Sequence, residues 1–203
     1  MKKSLLAVLV SSLAASSLLA AGAPAVGSAA PDFALTDAKG KKHSLADYKG
    51  KYVVLEWFNP ECPFVKKHYG GGDMQKLQET YAGKGVVWLT VDSSAPGTEG
   101  HLSPEQAEKT LSSWKMNQTT LLLDPDGTAG RAYNAKNTPQ MFVISPEGKL
   151  LYMGAIDSKA TPNPADIAGA TNYVKVALDE SLSGKAVSNP TTKAYGCSVK
   201  YKN

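Results

Sequence analysis

Apolar and polar positions divide the chain into short strand-like runs separated by helical stretches and by glycine or proline turns. Tyr52-Val-Val-Leu opens an apolar run, rich in β-branched residues, that reads as a buried central strand over 52–58. Two shorter strands precede it, near Asp32 to Thr36 and Lys41 to Ser44, joined by a turn at Lys39-Gly40, and Leu45 to Lys49 reads as one helical turn. Val86 to Val91 and Thr120 to Leu123 read as further strands. Met141 to Ser145 and Lys149 to Met153 read as a hairpin closed by Pro146-Glu-Gly148.

Between these runs the pattern turns helical. A helix is predicted from Pro63, because proline is tolerated best at the first helical position. Gly70-Gly-Gly72 interrupts it, and Asp73 reads as an N-cap that restarts a helix to about Ala82. Such a break either kinks the helix and opens space beside Cys62 or is a plain loop between two helices. Pro104 to Lys115 forms the next helix, with Leu111 and Trp114 on one face, and Asp124-Pro-Asp-Gly127 is a turn before a helix reaching about Tyr133. Pro164 opens the final helix, whose apolar side carries Ile167, Tyr173, Val174, Ala177 and Leu178 and which stops at Ser183-Gly184. Ser93 to Ser103 is a long loop, read either as a lid or docking surface or as a solvated excursion. From Ser188 the chain is an extended tail.

Composition fits one globular domain: 203 residues, 42% hydrophobic and 20% charged. Residues 24–185 form that domain and 186–203 its tail. The formal charge is +4, or +2 without Lys2 and Lys3, and no basic stripe is interleaved with aromatics, so nucleic acid is not an expected partner. Residues 1–23 read as a secretory signal peptide: a charged start at Met1-Lys-Lys-Ser, an apolar stretch from Leu5 to Ala20, and small residues at Ala21-Gly-Ala23. The stretch is shorter than the ~20 residues that span a bilayer and holds four serines, so no stable membrane insertion is expected after cleavage. A periplasmic protein is the expected product.

The candidate chemistry sits where the central strand ends. In Glu56-Trp-Phe-Asn-Pro-Glu-Cys62-Pro-Phe-Val65, proline breaks the strand and Cys62 falls at the start of the following helix. Unpaired N–H groups and the helix dipole stabilise a thiolate there. Lys66, Lys67 and His68 add positive charge nearby. The bland reading of Cys62 is a small buried core residue. His68 either supports the thiolate or is simply exposed on the helix.

Strand, Trp-x-x-x-x-Cys-Pro and helix together resemble the active-site segment of the thioredoxin-like superfamily, in the redoxin branch that includes the peroxiredoxins. Ala30-Pro-Asp-Phe-Ala-Leu-Thr-Asp37 with Ser44-Leu-Ala-Asp-Tyr-Lys-Gly-Lys51 is similar to the redoxin N-terminal hairpin, and Asn137-Thr-Pro-Gln-Met-Phe-Val-Ile144 resembles the Thr-Pro turn that faces the cysteine. The resemblance covers about residues 27–155. It implies an α/β thioredoxin fold: a central mixed sheet flanked by helices, with an N-terminal hairpin and, here, an extended C-terminal tail. It also implies that Pro139 is cis and that the backbone before it can pair with an extended substrate segment. Glu56, six residues before the cysteine, stands where thioredoxins carry a proton-transferring acid; pointing to the sheet edge or pairing with a lysine such as Lys66 is the alternative.

Two departures matter. Val65 stands where thioredoxins have their second cysteine, and Asn59 and Leu55 stand where peroxiredoxins have Thr/Ser and Pro; the only arginine, Arg131, precedes the Thr138-Pro139 turn. Cys197, in Tyr195-Gly-Cys-Ser-Val-Lys-Tyr201, is the chain's only other cysteine and is expected to be delivered to Cys62 by the tail, as a resolving thiol or as a static staple. The expected function is an exported thiol oxidoreductase. Cys62 attacks a disulfide or a peroxide, Cys197 resolves it, Glu56, Thr138 and Pro139 assist, and an external thiol reductant restores the pair without a cofactor. The contrasting class is a non-enzymatic copper carrier using Cys62, Cys197 and His68.

Overall fold

The computed structural model describes residues 23–202; the signal segment expected over residues 1–23 lies outside them apart from Ala23. The described residues form nine strands and five α-helices, in chain order β1 (Ala34–Asp37), β2 (Lys42–Ser44), β3 (Val53–Trp57), α1 (Pro63–Gly70), α2 (Asp73–Ala82), β4 (Val87–Asp92), α3 (Pro104–Ser113), β5 (Thr120–Leu123), α4 (Thr128–Ala132), β6 (Asn137–Thr138), β7 (Gln140–Ile144), β8 (Leu150–Gly154), α5 (Tyr173–Leu182) and β9 (Cys197–Ser198). Seven strands form one mixed sheet in the order β2-β1-β5-β4-β3-β7-β8, and β6 pairs with β9. β3 lies parallel to β4 and antiparallel to β7. This is the central mixed sheet flanked by helices that the resemblance implied.

β3 is buried along its whole length, as a strand in a sheet covered on both faces must be, with Glu56 its one charged residue. Alternation sends its side chains to two cores. Val54 joins Cys62, Val65, Tyr69 and Tyr81 under α1 and α2, with Val174 and Leu178 of α5, whereas Val53, Leu55 and Trp57 join Phe33, Tyr133 and Phe142 on the other face. Glu56 shares the parity of Val54, so its carboxyl points to the α1 side. No helix among the described residues is long and apolar enough to cross a membrane.

Two expected helix starts differ, and the 93–103 loop takes one of its two readings. The glycine break separates two helices: α1 ends at Gly70, and Gly72, with φ +84°, is the residue before α2, so Asp73 is the first helical residue rather than the cap. A cleft of about 780 Å³ opens along this break between Tyr69, Gln75 and Trp114, but Cys62 does not line it. Pro164 starts only a single 3₁₀ turn, ending at Asp166; the helix begins at Tyr173, where the Asn172 side chain accepts from the Lys175 N–H. The loop over 93–103 is no solvated excursion, since Ser93, Ser94, Ala95 and Leu102 are buried and Asp92 accepts from the Ser94 and Leu102 N–H groups.

The tail packs along two surfaces. It first follows the outer edge of β8, where Met153 N–H donates to Pro190 and Thr192 N–H to Met153, covering an edge that would otherwise be open. It then crosses β6, and beyond it the Ala95 N–H donates to the Lys200 carbonyl, so the 93–103 loop is a docking surface for the tail.

A Cβ added at Gly72 would meet no atom within 4 Å, so replacing this residue costs backbone strain alone. Gly72→Ala is expected to lower unfolding free energy by about 1–2 kcal/mol while leaving thiol reactivity unchanged. Denaturant titration beside a thiol-labelling rate checks this, and an unaltered midpoint refutes the left-handed turn.

Candidate functional site

Cys62 ends the β3 exit and forms the N-cap of α1, with Pro63 at the first helical position. Its carbonyl accepts from the Val65 and Lys66 N–H groups, which fixes the cysteine to the helix start. The residue is 0% exposed. Its thiol donates to the Thr138 carbonyl at 3.0 Å, across the cis Thr138-Pro139 bond that precedes β7.

Cys197 reaches the same point from the other end of the chain. Antiparallel pairing of β6 with β9 sets Thr138 opposite Cys197 and Asn137 opposite Ser198. Gly196, at φ +115°, passes so close that a Cβ there would lie 2.0 Å from the Thr138 carbonyl oxygen; only glycine fits. Both cysteines are free thiols. The tail thus brings Cys197 beside Cys62, Thr138 and Pro139.

The two sulfurs titrate in opposite directions. Burial pushes the Cys62 thiol up, but hydrogen bonding from the Cys197 thiol, from the Thr138 side chain and from the Cys197 and Val65 backbone outweighs it and holds Cys62 below its ordinary value. Burial, with the hydrogen bond and charge of Cys62, pushes Cys197 up to about 12. Cys62 therefore ionises more readily than an ordinary cysteine and Cys197 less readily. The three basic side chains expected to help are turned elsewhere. Lys66 pairs with Glu61 at 3.2 Å, Lys67 is buried against Asp157 at 3.1 Å, and His68 is neither exposed nor cationic, since burial pushes its pKa down to about 4. With His68 beside Asp157, the copper set Cys62, Cys197 and His68 does not gather. Among the described residues no three His, Cys, Asp or Glu side chains are grouped to hold a metal ion.

Glu56 is fully buried, and among the described residues it pairs with no lysine. Its carboxylate accepts from the Tyr69 hydroxyl (3.0 and 2.9 Å), the Trp88 indole N–H (2.9 Å), the Thr90 hydroxyl (3.4 Å) and the Gln78 amide (3.5 Å), and it bonds neither cysteine. Thr90 lies opposite Glu56 in the register of β3 on β4, and Tyr69 and Gln78 come down from α1 and α2. Burial raises the Glu56 pKa to about 7 against these donors, which pull it down. Sequence reasoning found Glu56 but not its cage. The signal was the shared parity of Trp88 and Thr90 on the neighbouring strand. It also missed Asp157, ninety residues from Lys67, and the Tyr195 hydroxyl that donates to Asp157.

Because the folded pKa of Glu56 lies above its unfolded value of 4.5, the folded state holds an extra proton between pH 4.5 and 7. Stability then falls as pH rises through that window, by roughly 3 kcal/mol from this residue. Subtracting the unfolding free energy of Glu56→Gln from that of the wild type should give a difference that drops by about this amount from pH 4.5 to 8. A flat difference from chemical denaturation across the range contradicts the assignment.

Comparison with known proteins places these features in context. The AhpC/TSA family profile matches residues 26–153. The thiol-disulfide oxidoreductase ResA of Geobacillus kaustophilus is 32% identical over 128 residues, 63% of this chain and 68% of that protein, and ResA of Bacillus subtilis is 30% identical over 125 residues, 62% and 64%. Among solved structures, an uncharacterized conserved protein of Geobacillus kaustophilus superposes with a TM-score of 0.78 at 28% identity, covering 88% of this chain and 93% of that one. A putative thiol:disulfide interchange protein DsbE from Chlorobium tepidum superposes with a TM-score of 0.51 at 27% identity, covering 64% and 85%. The fold is thus the thioredoxin fold, and with the family match spanning more than half of its length the chain belongs to the AhpC/TSA family.

Proposed function

We propose that the protein is a thiol-disulfide oxidoreductase in which Cys62 is the attacking thiol and Cys197 the resolving one. The observation that carries this reading is the pairing of a buried helix-N-terminal thiol of lowered pKa with a second thiol of raised pKa on the tail strand. The Cys62 thiolate attacks a substrate disulfide, forming a mixed disulfide and releasing one substrate thiolate. Once the Cys62 charge is consumed, the returning Cys197 meets neither its repulsion nor its hydrogen bond, and burial is the main influence left holding the Cys197 pKa up. Cys197 can now lose its proton and attack the Cys62 sulfur. The Cys62–Cys197 disulfide forms, the second substrate thiolate leaves, and an external thiol reductant regenerates the pair. In this reading the Thr138 carbonyl and Pro139 orient the Cys62 sulfur, and Glu56, titrating near 7, is the proton-holding acid behind the helix.

Disulfides fit better than peroxides. Asn59 stands where peroxiredoxins carry a hydroxyl, and its side chain is spent on the Glu61 N–H and the Glu99 carbonyl. Arg131 is exposed, stacked on Tyr201 at 4.7 Å and bonded to the Lys202 carbonyl. Neither is turned to the Cys62 sulfur.

Cys62→Ser is expected to bring disulfide reduction, measured as insulin turbidity with dithiothreitol, down to the uncatalysed rate. Cys197→Ser keeps the first step, so a mixed disulfide on Cys62 accumulates to about one per chain in intact-mass spectra. Full activity without Cys62, or a label that lands on Cys197 instead, refutes the assignment. Export to the periplasm completes the proposal, resting on the charged, apolar and small-residue order of residues 1–23. N-terminal sequencing of the protein recovered from a bacterial host should begin near Pro24, in the periplasmic fraction; an uncleaved Met1 in the cytoplasm overturns it.

A further inference from the structure

We propose that Tyr195 is a positioning residue that latches the tail to α1, seating Cys197 against Cys62 and closing the site over the buried sulfur. The proposal rests on the thiol–disulfide reading above, and goes beyond it by assigning what holds the resolving thiol in place.

Cys62 is wholly enclosed while β9 is paired with β6, so no substrate sulfur reaches it until the tail lifts. The contacts of Tyr195 show where the tail is fastened. Its ring packs on Phe64 with centroids 5.7 Å apart, and its hydroxyl donates to one oxygen of Asp157. The other Asp157 oxygen takes Lys67 Nζ at 3.1 Å, and the same ammonium donates to the Lys159 carbonyl at 2.8 Å and lies 5.8 Å from the Tyr195 ring centre. Lys67 and Asp157 side chains are 0% and 2% exposed. An ion pair this deep is tolerated only when its remaining hydrogen-bond positions are filled, and Tyr195 fills one of them. Phe64 and Lys67 lie two and five residues after Cys62, and Tyr195 lies two before Cys197. One aromatic side chain therefore ties the two thiol-bearing segments together beside the sulfurs.

The rest of the tail has its own attachments. Val199 N–H donates to Lys136, the Lys200 carbonyl accepts from Ala95, and the Tyr201 hydroxyl donates to Ala135. Loss of Tyr195 thus unseats Cys197 without freeing the whole strap. The latch also sets an order of events. The Thr138 backbone pairs with one strand at a time, and the tail holds that edge, so an extended substrate and a seated Cys197 exclude one another.

The test uses the reduced full chain and glutathione disulfide. The Cys62 thiolate attacks one glutathione sulfur and expels glutathione thiolate. The Cys197 thiolate, its proton passed to solvent, then attacks Cys62 and expels the second. Two protein thiols are oxidised and one glutathione disulfide is reduced. Acid-quenched intact masses in a glutathione buffer give the effective concentration of Cys197 at Cys62. A hydrogen bond to a charged group is worth about a tenfold to hundredfold shift, so Tyr195→Phe, which keeps the ring, lowers that concentration about tenfold and Tyr195→Ala about a hundredfold. In a Cys197→Ser background, Tyr195→Ala speeds iodoacetamide alkylation of Cys62 about tenfold or more, with Tyr195→Phe between. A latch moves these readouts in opposite directions, closure slower and access faster. Unchanged closure in both variants overturns the latch. If the wild type forms neither glutathione adduct nor internal disulfide, the exchange reading fails, and the alkylation rates alone then decide the latch: equal rates in all three chains overturn it.

Discussion

A single backbone unit, Thr138, is where the parts of the site meet. Its carbonyl accepts the Cys62 thiol, and its strand pairing fixes Cys197 directly opposite. No second sulfur comes from the sequence neighbours of Cys62, because α1 carries Val65 where one would have closed a local ring. The second thiol arrives 135 positions later along the chain, and it arrives through β pairing. The burial that would make Cys62 inert is offset by the hydrogen bonds that this arrival supplies. Removing the tail strand would leave the helix N-terminus but take away half of the groups that favour the thiolate.

The position of α1 is in turn fixed by two buried polar clusters. Tyr69 and Lys67 lie two residues apart, so they leave the helix about 200° from one another. Tyr69 binds Glu56 beneath the sheet-facing side, while Lys67 binds Asp157 on the side where the tail crosses. Moving the helix would strand a carboxylate at one end or an ammonium at the other, and an uncompensated buried charge is far more expensive than a lost surface contact. Apolar packing is non-directional and leaves the helix some freedom to shift. The two clusters remove that freedom, and with it most of the latitude in where the Cys62 sulfur points.

Strand and turn chemistry makes much of this legible from the residues alone. The run from Tyr52, the Pro-flanked cysteine, the Gly-marked turns and the cysteine beside Gly196 all carry local signals, and each has its counterpart in β3, α1, the hairpins and β9. The departures share a cause. His68 and Lys67 look like exposed helical residues because charged and imidazole side chains usually are. Their burial is decided by Asp157, ninety positions from Lys67 and visible only when the chain is folded. The start of α5 departs from expectation for a similar reason. Pro164 is a sound helix opener in isolation, yet it begins only a 3₁₀ turn, and the helix waits for Asn172, whose side chain can cap it.

A second sulfur on a strap differs physically from one fixed a turn away on the same helix. On a helix the distance between the two thiols is set by covalent geometry, and closure is always available. On a strap it depends on a seating equilibrium, so the effective concentration of Cys197 is set by the contacts of Tyr195, Gly196 and the β6 edge rather than by chain length. The same equilibrium governs access, because the strand that delivers Cys197 also covers Cys62. In the proposed reaction, tightening the strap favours closure of the internal disulfide and hinders entry of the next substrate; loosening it does the reverse. The best-performing sequence is therefore one in which the latch is strong but breakable. A tyrosine hydroxyl bonded to an already paired carboxylate meets that condition, since Asp157 keeps Lys67 as its counter-ion when the tyrosine leaves.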